Sequence, residues 1–179
     1  MTYIIGEIGQ NHNGSVDIAK LIIDFASGPI VDKLFDLELP RLNAVKLTKR
    51  DLSQELTKSK MQEPYDSPNS FGATYGEHRA FLELSDDEHL EIFNYAKSKG
   101  LDFVETICSI NAMSVLEKFE PDYLKVASRD LTNLPLLDAL ASTQLPIIVS
   151  TGMAGKKELD DAVSCIGKHH DNLSILHCV

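Results

Sequence analysis

A short apolar run, a polar turn and an amphipathic helical pattern recur in this order along the chain of 179 residues. The apolar runs expected to form strands are residues 3–8, 43–48, 101–106, 123–127, 146–150 and 173–178. Strands that alternate with helices pair in parallel, and their connections are right-handed. The pattern therefore predicts an α/β fold with two possible architectures. One is an open doubly wound sheet; the other is a (β/α)8 TIM-type barrel that is incomplete, with about six βα units and the last two strands missing.

The predicted helices carry recognisable start and stop signals. Ser15 can cap the first helix. The apolar residues of this helix that recur at helical spacing, and are expected to be buried, are Ile18, Leu21, Ile22 and Phe25. Residues 85–88, Ser-Asp-Asp-Glu, form a capping box for a helix that ends near Gly100. Further helices are predicted at about 111–119, at about 133–142 and around 159–166.

Two segments depart from the alternating pattern. Residues 27–42 contain Gly28 and Pro29 and are interpreted as an irregular insertion before the second strand. Residues 51–84 have the weakest periodicity and are predicted to form a long loop excursion without regular structure. Because the composition does not shift along the chain, residues 1–179 are predicted to form a single domain.

The composition excludes several classes of protein. The chain has 17 basic and 27 acidic side chains, and its net charge of −10 argues against a nucleic-acid partner. It has no apolar run of about 18 residues that would span a membrane, and its first residues lack the pattern of a signal peptide. Its three cysteines form no CxxC pair, so a cytoplasmic location with free thiols is expected. The GxGxxG, P-loop and GxSxG motifs are absent, which argues against nucleotide-binding and hydrolase functions.

The carboxyl ends of the predicted strands hold the polar residues of most interest, because α/β proteins place their functional groups there. These residues are Glu7, Lys46, Thr48, Thr106, Lys125, Ser128, Ser150, Thr151 and His177. Lys46 and Lys125 alternate with apolar neighbours, so both amino groups are expected to point into the mouth of a barrel. A lysine in such a position is costly to bury unless an anion meets it. Two lysines beside several hydroxyl groups therefore predict a site for a phosphate or a carboxylate.

Structural roles are the alternative for each of these residues. Each of the two lysines can instead pair with a structural carboxylate, such as that of Glu7 or Glu105. The serine and threonine residues can simply end their strands. His12, within Asn-His-Asn-Gly, is interpreted as a turn residue rather than a metal ligand. His177 can be a ligand, a base or a packed core residue.

Several short motifs of this chain resemble those of the sialic acid synthase family. They are residues 6–14 (GEIGQNHNG), 44–46 (AVK), 74–79 (TYGEHR), 124–128 (LKVAS), 130–133 (DLTN), 150–153 (STGM) and 176–178 (LHC). The motifs follow the order of the family over almost the whole chain. The resemblance implies the (β/α)8 barrel of that family, here a truncated catalytic barrel domain.

The resemblance also implies an activity. The family condenses phosphoenolpyruvate with an N-acylated sugar aldehyde, such as N-acetylmannosamine or its 6-phosphate, and releases a sialic-type nonulosonic acid and phosphate. The residues that would hold the phosphate and carboxylate of phosphoenolpyruvate are Lys46, Thr106, Lys125, Ser128 and Ser150. Glu7 would be the catalytic residue, either as a hydrogen-bond acceptor for the sugar or as a proton-transfer group. A divalent metal, Mn²⁺ or Mg²⁺, would bind the aldehyde oxygen.

The chain departs from the family in several respects. The metal-binding histidines of the family lie on strands seven and eight, beyond Val179, so no metal ligand is assigned here. The C-terminal antifreeze-like domain, which donates an arginine to a partner's active site, is also absent, although a homodimer is expected. Thr48 and Arg129 stand where the family commonly has glutamine and glycine. The alternative to an active synthase is a non-catalytic fragment or assembly module that binds anionic small molecules without turnover.

Overall fold

Parallel strands in sequential order form the main sheet of the computed structural model, which describes residues 2–178. The strands are β1 (Ile5–Gly9), β2 (Ile30–Asp32), β3 (Leu37–Leu39), β4 (Ala44–Lys49), β5 (Asp102–Ile107), β6 (Tyr123–Val126), β7 (Ile147–Ser150) and β8 (Leu173–Leu176). The main sheet has the order β1-β4-β5-β6-β7-β8, and each of its pairings is parallel. A doubly wound sheet would change its winding direction partway, whereas a barrel wall is built in one direction. The prediction of an incomplete (β/α)8 barrel is therefore confirmed, and the doubly wound alternative is wrong.

Helices connect the strands of this sheet. They are α1 (Val16–Ser27), α2 (Leu52–Glu55), α3 (Lys58–Met61), α4 (Tyr75–Leu82), α5 (Asp86–Ser98), α6 (Leu134–Ser142) and α7 (Lys156–Ile166). The capping box predicted at the start of α5 is present, with Ser85 and Glu88 each accepting a backbone N–H of the other. The segment predicted as a helix at about 111–119 is a 3₁₀ helix, Asn111–Glu117. Within residues 2–178, no helix combines the length and the apolar character that crossing a membrane requires.

Alternate residues of the strands face two different cores. Those on the outer face pack against the helices and include Val45, Leu47, Phe103, Leu124, Val126, Ile147 and Val149. Those on the inner face form a smaller cluster of Ala44, Val104 and Ile148. Lys46 lies two residues after Ala44, and Lys125 is paired in register with Ile148. Both lysines therefore belong to the inner face, as the alternation predicts.

The buried face of α1 differs from the predicted one. The buried residues of this helix are Ala19, Ile23 and Ala26, whereas Leu21 and Phe25 are 55% and 75% exposed. Of the four residues expected to be buried, only Ile22 packs against the core, and Ile18 is also exposed. The small alanine side chains let α1 approach its neighbours closely, whereas Leu21 and Phe25 remain exposed. The prediction of the buried face was therefore wrong.

Residues 27–42 were predicted to form an irregular insertion. They instead contain an antiparallel hairpin of β2 and β3. The carboxylate of Asp32 accepts the backbone N–H groups of Leu34 and Phe35 at 2.9 and 3.2 Å, and Asp36 has a positive φ of 48°. These aspartate interactions form the turn, whereas the prediction for this segment depended on Gly28 and Pro29. The side chains of β2 and β3 are largely exposed. Their sequences therefore lack the alternation of buried and exposed residues that marks a half-buried strand.

Residues 51–84 also contain regular structure, because α2, α3 and α4 lie within them. The prediction of a structureless excursion was therefore wrong. Thr74 and Glu77 form a capping box at the start of α4. This capping box is the local signal for the helix, whose apolar periodicity is weak. The segment before α4 is anchored by a backbone hydrogen bond of 2.8 Å from Tyr75 to Glu63. The assignment of residues 1–179 to a single domain remains a prediction.

The outer core generates a stability prediction. Phe103 is fully buried and makes edge contacts with Phe93 and Phe119 at centroid distances of 5.5 and 5.7 Å. Phe103→Ala should lower the free energy of unfolding by about 3–5 kcal/mol, because it leaves a cavity in a packed cluster. Phe25→Ala removes the same atoms from an exposed position and should change it by less than about 1 kcal/mol. Urea unfolding followed by circular dichroism measures both, and equal losses would contradict this division of core and surface.

Candidate anion-binding site

One cavity of about 480 Å³ lies at the carboxyl ends of the main-sheet strands. Its lining includes all six residues to which the resemblance assigns a catalytic or substrate-binding role, which are Glu7, Lys46, Thr106, Lys125, Ser128 and Ser150. The other lining residues are Thr48, Arg50, Cys108, Ala127, Arg129 and Leu176. The predicted residues therefore converge, although their roles remain predictions.

The register of the parallel strands explains this convergence. Glu7 of β1 is paired with Lys46 of β4. Thr106 of β5 is paired with Lys125 of β6 on one side and with Thr48 of β4 on the other. Because paired residues of parallel strands point to the same face, these side chains form adjacent rows on the inner face.

Lys46 is held by two neighbours within the cavity. Its amino group forms an ion pair with the carboxylate of Glu7 and donates a hydrogen bond of 3.2 Å to the Thr106 hydroxyl. The side chain of Lys46 is 14% exposed, whereas that of Glu7 is 52% exposed. The structural alternative thus holds in part for Lys46, but its partner is itself open to the cavity and to solvent.

Lys125 is more deeply buried and has a different environment. Its amino group donates hydrogen bonds to the Val126 carbonyl, at 2.7 Å, and to the Ser150 hydroxyl. None of the ion pairs found among residues 2–178 involves this lysine, so the carboxylate alternative does not apply to it. Burial, followed by the positive charge of Lys46, lowers the pKa of Lys125 from 10.5 to about 8. Its contribution to stability is therefore favourable above pH 10.5 and is lost as the pH falls through about 8.

The hydroxyl groups complete the polar lining. The Ser128 hydroxyl accepts the backbone N–H of Gly152 at 3.1 Å, which links the end of β6 to the end of β7. A Cβ atom at Gly152 would lie 2.9 Å from this hydroxyl oxygen, so the close approach requires glycine. Ser128 and Lys125 line the same cavity.

Arg50 and Arg129 add two basic side chains; Arg50 was not predicted as a site residue, whereas Arg129 was expected beside the phosphate pocket, in place of a glycine, where it would either add charge or block the site. Their positions were the signals available in the sequence. Arg50 directly follows the strand β4, and Arg129 directly follows Ser128. Four basic side chains consequently line the cavity, against the single carboxylate of Glu7. In a chain of net charge −10, this local excess of positive charge is suited to an anion.

The remaining candidate residues lie elsewhere. The carboxylate of Glu105 forms a hydrogen bond of 2.9 Å with Nδ1 of His89, and both side chains are buried on the helix-covered face. Glu105 therefore does not pair with Lys46 or Lys125. His12 is a buried turn residue whose Nδ1 accepts the Gly14 backbone N–H at 3.1 Å, as interpreted from the sequence. Thr151 donates its hydroxyl to the Leu176 carbonyl at 3.0 Å, and His177 is exposed outside the cavity lining.

The side chains described between residues 2 and 178 contain no group of three or more histidines, cysteines or carboxylates that could hold a metal ion. The residues present therefore do not by themselves fit a divalent metal. The expected Mn²⁺ or Mg²⁺ remains a prediction, and no step of a reaction is assigned to it here.

Comparisons with known proteins agree with the barrel architecture. The sequence model described as the NeuB family matches residues 40–179. The N-acetylneuraminate-9-phosphate synthase of Drosophila melanogaster is 32% identical over 178 residues, which are 99% of this chain and 45% of that protein. The synthase of the same name from Homo sapiens is 31% identical over 98% of this chain and 46% of its own length. The chain thus spans about half the length of these relatives.

A solved structure shows the same relationship. The N-acetylneuraminic acid (sialic acid) synthetase of Leptospira borgpetersenii, crystallised in complex with citrate, superposes with a TM-score of 0.76 at 26% identity. The superposition covers 99% of this chain and 54% of that chain.

The pKa of Lys125 generates a pH prediction. Sulfate, which is a dianion throughout this range, should bind with constant affinity below about pH 8 and progressively more weakly above it, because Lys125 loses its proton. Isothermal titration calorimetry between pH 6.5 and about 9.5 measures this dependence. A hydrogen bond with Ser150 lowers the pKa of the neighbouring Cys178 thiol, so this group needs a control. Cys178→Ser removes that group and should retain the decline; an affinity that stays flat would contradict the assignment.

Proposed function

The chain belongs to the NeuB family, and from this premise we propose that it forms the phosphoenolpyruvate-binding part of a nonulosonic acid synthase. The proposed reaction condenses phosphoenolpyruvate with an N-acylated sugar aldehyde, such as N-acetylmannosamine. C3 of the enol forms a bond to the aldehyde carbon, one water molecule is consumed, and inorganic phosphate is released. Enzymes of this family are named as synthases of sialic acids or their 9-phosphates, which supports this class of reaction.

The observation that carries the proposal is the buried amino group of Lys125 beside a set of hydroxyl groups. Phosphoenolpyruvate has a carboxylate and a phosphate, so its binding site needs several cations within a short distance of one another. Lys125 is 7% exposed and lacks an ion pair in the described chain, which leaves it able to pair with a ligand anion. A charge-assisted hydrogen bond of this kind stabilises a complex more than a neutral one does.

Glu7 is suited to the catalytic role because its carboxylate is both restrained and accessible. The ion pair with Lys46 holds the carboxylate at the end of β1, while half of its side chain remains exposed. A sugar bound above the enol would meet this oxygen first, and the carboxylate can accept a hydroxyl hydrogen bond or a proton. Holding the sugar and the enol together also removes part of the entropic barrier to a reaction between two molecules.

Three further features remain part of the proposal. A divalent metal would polarise the aldehyde, a homodimer is the expected assembly, and the cytoplasm is the expected location. The alternative function is an anion-binding module without turnover; the chain spans about half the length of the synthases that it matches. The experiment below separates the two functions.

Phosphoenolpyruvate should raise the melting temperature of this chain and bind to it in calorimetry. Lys125→Met and Lys46→Met should each weaken binding at least tenfold, about 1.4 kcal/mol, because each removes a cation from the cavity. Lys156→Met is the matched control, since its amino group is on the surface of α7, where it pairs with Asp160.

Phosphate release in the presence of N-acetylmannosamine and Mn²⁺ then identifies the function. Release that requires the sugar supports the synthase, and a series of N-acylated hexoses reports its acceptor. Binding without release under any of these conditions supports the non-catalytic module. If phosphoenolpyruvate does not bind, the synthase is overturned, and if sulfate does not bind either, the anion-binding module is overturned as well.

A further inference from the structure

We propose that Arg129 is an additional binding residue for the anionic ligand and that Glu55 positions it. The inference rests on the anion-binding part of the proposed function and extends it to two residues that were not among the predicted ligand-binding ones. Arg129 lies in the 3₁₀ turn Ser128–Asp130, directly after one of the predicted ligand-binding serines. The position brings its guanidinium group to the wall of the cavity that also contains Lys46 and Lys125.

The guanidinium group of Arg129 is held in place but retains free donors. Its Nη2 donates a hydrogen bond of 2.6 Å to Glu55 Oε2, and its Nε lies 3.3 Å from Asp130 Oδ2. A guanidinium has five N–H groups, so these two contacts leave three available. The side chain is 45% exposed, which allows a ligand in the cavity to reach them.

Glu55 is a buried anchor rather than a solvated surface acid. Its side chain, on the short helix α2, is 9% exposed, and its Oε1 has no hydrogen-bond partner among the residues described. The Nη1 atom of Arg50 lies 3.9 Å from Oε2, so two arginines share this carboxylate. Burying a carboxylate without a cationic partner is costly. The ion pair with Arg129 is therefore favoured, and it restricts the positions that the guanidinium group can occupy.

Arg129 also separates two cavities. A second cavity, of about 420 Å³, adjoins the first, and Arg129 and Cys108 line both. The Arg129–Glu55 pair therefore forms part of the wall that confines a ligand beside Lys125. A guanidinium restrained in this way loses little conformational entropy when it binds an anion.

The charges of the two lysines explain why a third cation is useful. Lys46 is already paired with Glu7, and Lys125, with a pKa of about 8, is only partly charged in mildly alkaline solution. A guanidinium stays charged throughout this range and can donate two parallel hydrogen bonds to a phosphate or a carboxylate. Arg129 would thus maintain the positive charge of the site when Lys125 does not.

The first test compares charge loss at Arg129 with charge loss elsewhere. Arg129→Gln should weaken the binding of phosphoenolpyruvate at least tenfold, Arg129→Lys should recover part of the loss, and Lys156→Gln should change it less than twofold. Calorimetry at pH 7.5 measures the three variants, and thermal unfolding confirms that each is folded. Wild-type affinity in folded Arg129→Gln would overturn the inference.

The second test asks whether Glu55 acts through Arg129. Glu55→Gln should weaken binding three- to fivefold in the wild-type chain and have no further effect in the Arg129→Gln variant, because coupled residues give non-additive losses. Additive losses would show that Glu55 has only a structural role and would overturn that part of the inference.

Sulfate distinguishes this inference from the proposed function. If sulfate binding depends on Arg129 but phosphoenolpyruvate does not bind, the inference stands and the proposed function fails. If phosphoenolpyruvate binds and yields product without any dependence on Arg129, the function stands and the inference fails. Binding of neither anion overturns both.

Discussion

Lys125 keeps its amino group inside the barrel wall, where a backbone carbonyl and the Ser150 hydroxyl are its hydrogen-bond acceptors. Burial makes the charged form of this amine unfavourable, and no carboxylate among the described residues forms an ion pair with it. The strands nevertheless pair in a register that places Lys46, Thr106 and Ser150 around it. Under the proposed function, an anionic ligand would supply the counter-charge that this amino group lacks.

The two faces of the sheet treat charged groups differently. On the outer face, the carboxylate of Glu105 is paired with His89, and Lys49 is paired with Asp86 at 2.7 Å, so these buried polar groups have protein partners. On the inner face, basic side chains outnumber carboxylates. Strand alternation alone separates these two sets, since Lys46 and Lys49 differ by an odd number of positions on the same strand. The outer pairs stabilise the packing of helices, whereas the inner excess of charge is available for binding.

The short helix α2 links the cavity to the segment that follows β4. Its Glu55 contacts Arg129, in the 3₁₀ turn after β6, and lies near Arg50, which directly follows β4, so one buried carboxylate joins three parts of the chain. Further along, Glu83 lies 3.9 Å from Arg50 and 3.8 Å from Arg79, and burial raises its pKa against the effect of these arginines. Arg50, which lines the cavity, therefore lies between the two carboxylates of Glu55 and Glu83.

The amino-acid sequence by itself determined the alternation of strands and helices, the inward direction of Lys46 and Lys125, and the capping box at Ser85. The first two follow from local periodicity, and the third follows from the spacing of Ser85 and Glu88. Local periodicity could not establish which face of α1 is buried, since Leu21 and Ala19 are both compatible with a helix, and the choice depends on the neighbours that pack against it. The hairpin of β2 and β3 and the capped α4 were missed because turn and cap interactions, not apolar patterning, specify them. Only the tertiary structure decided that Glu7 pairs with Lys46, that Glu105 faces away, and that Arg50 and Arg129 join the site. Those contacts connect residues far apart along the chain, and they exist only once strand register and loop packing bring the residues together.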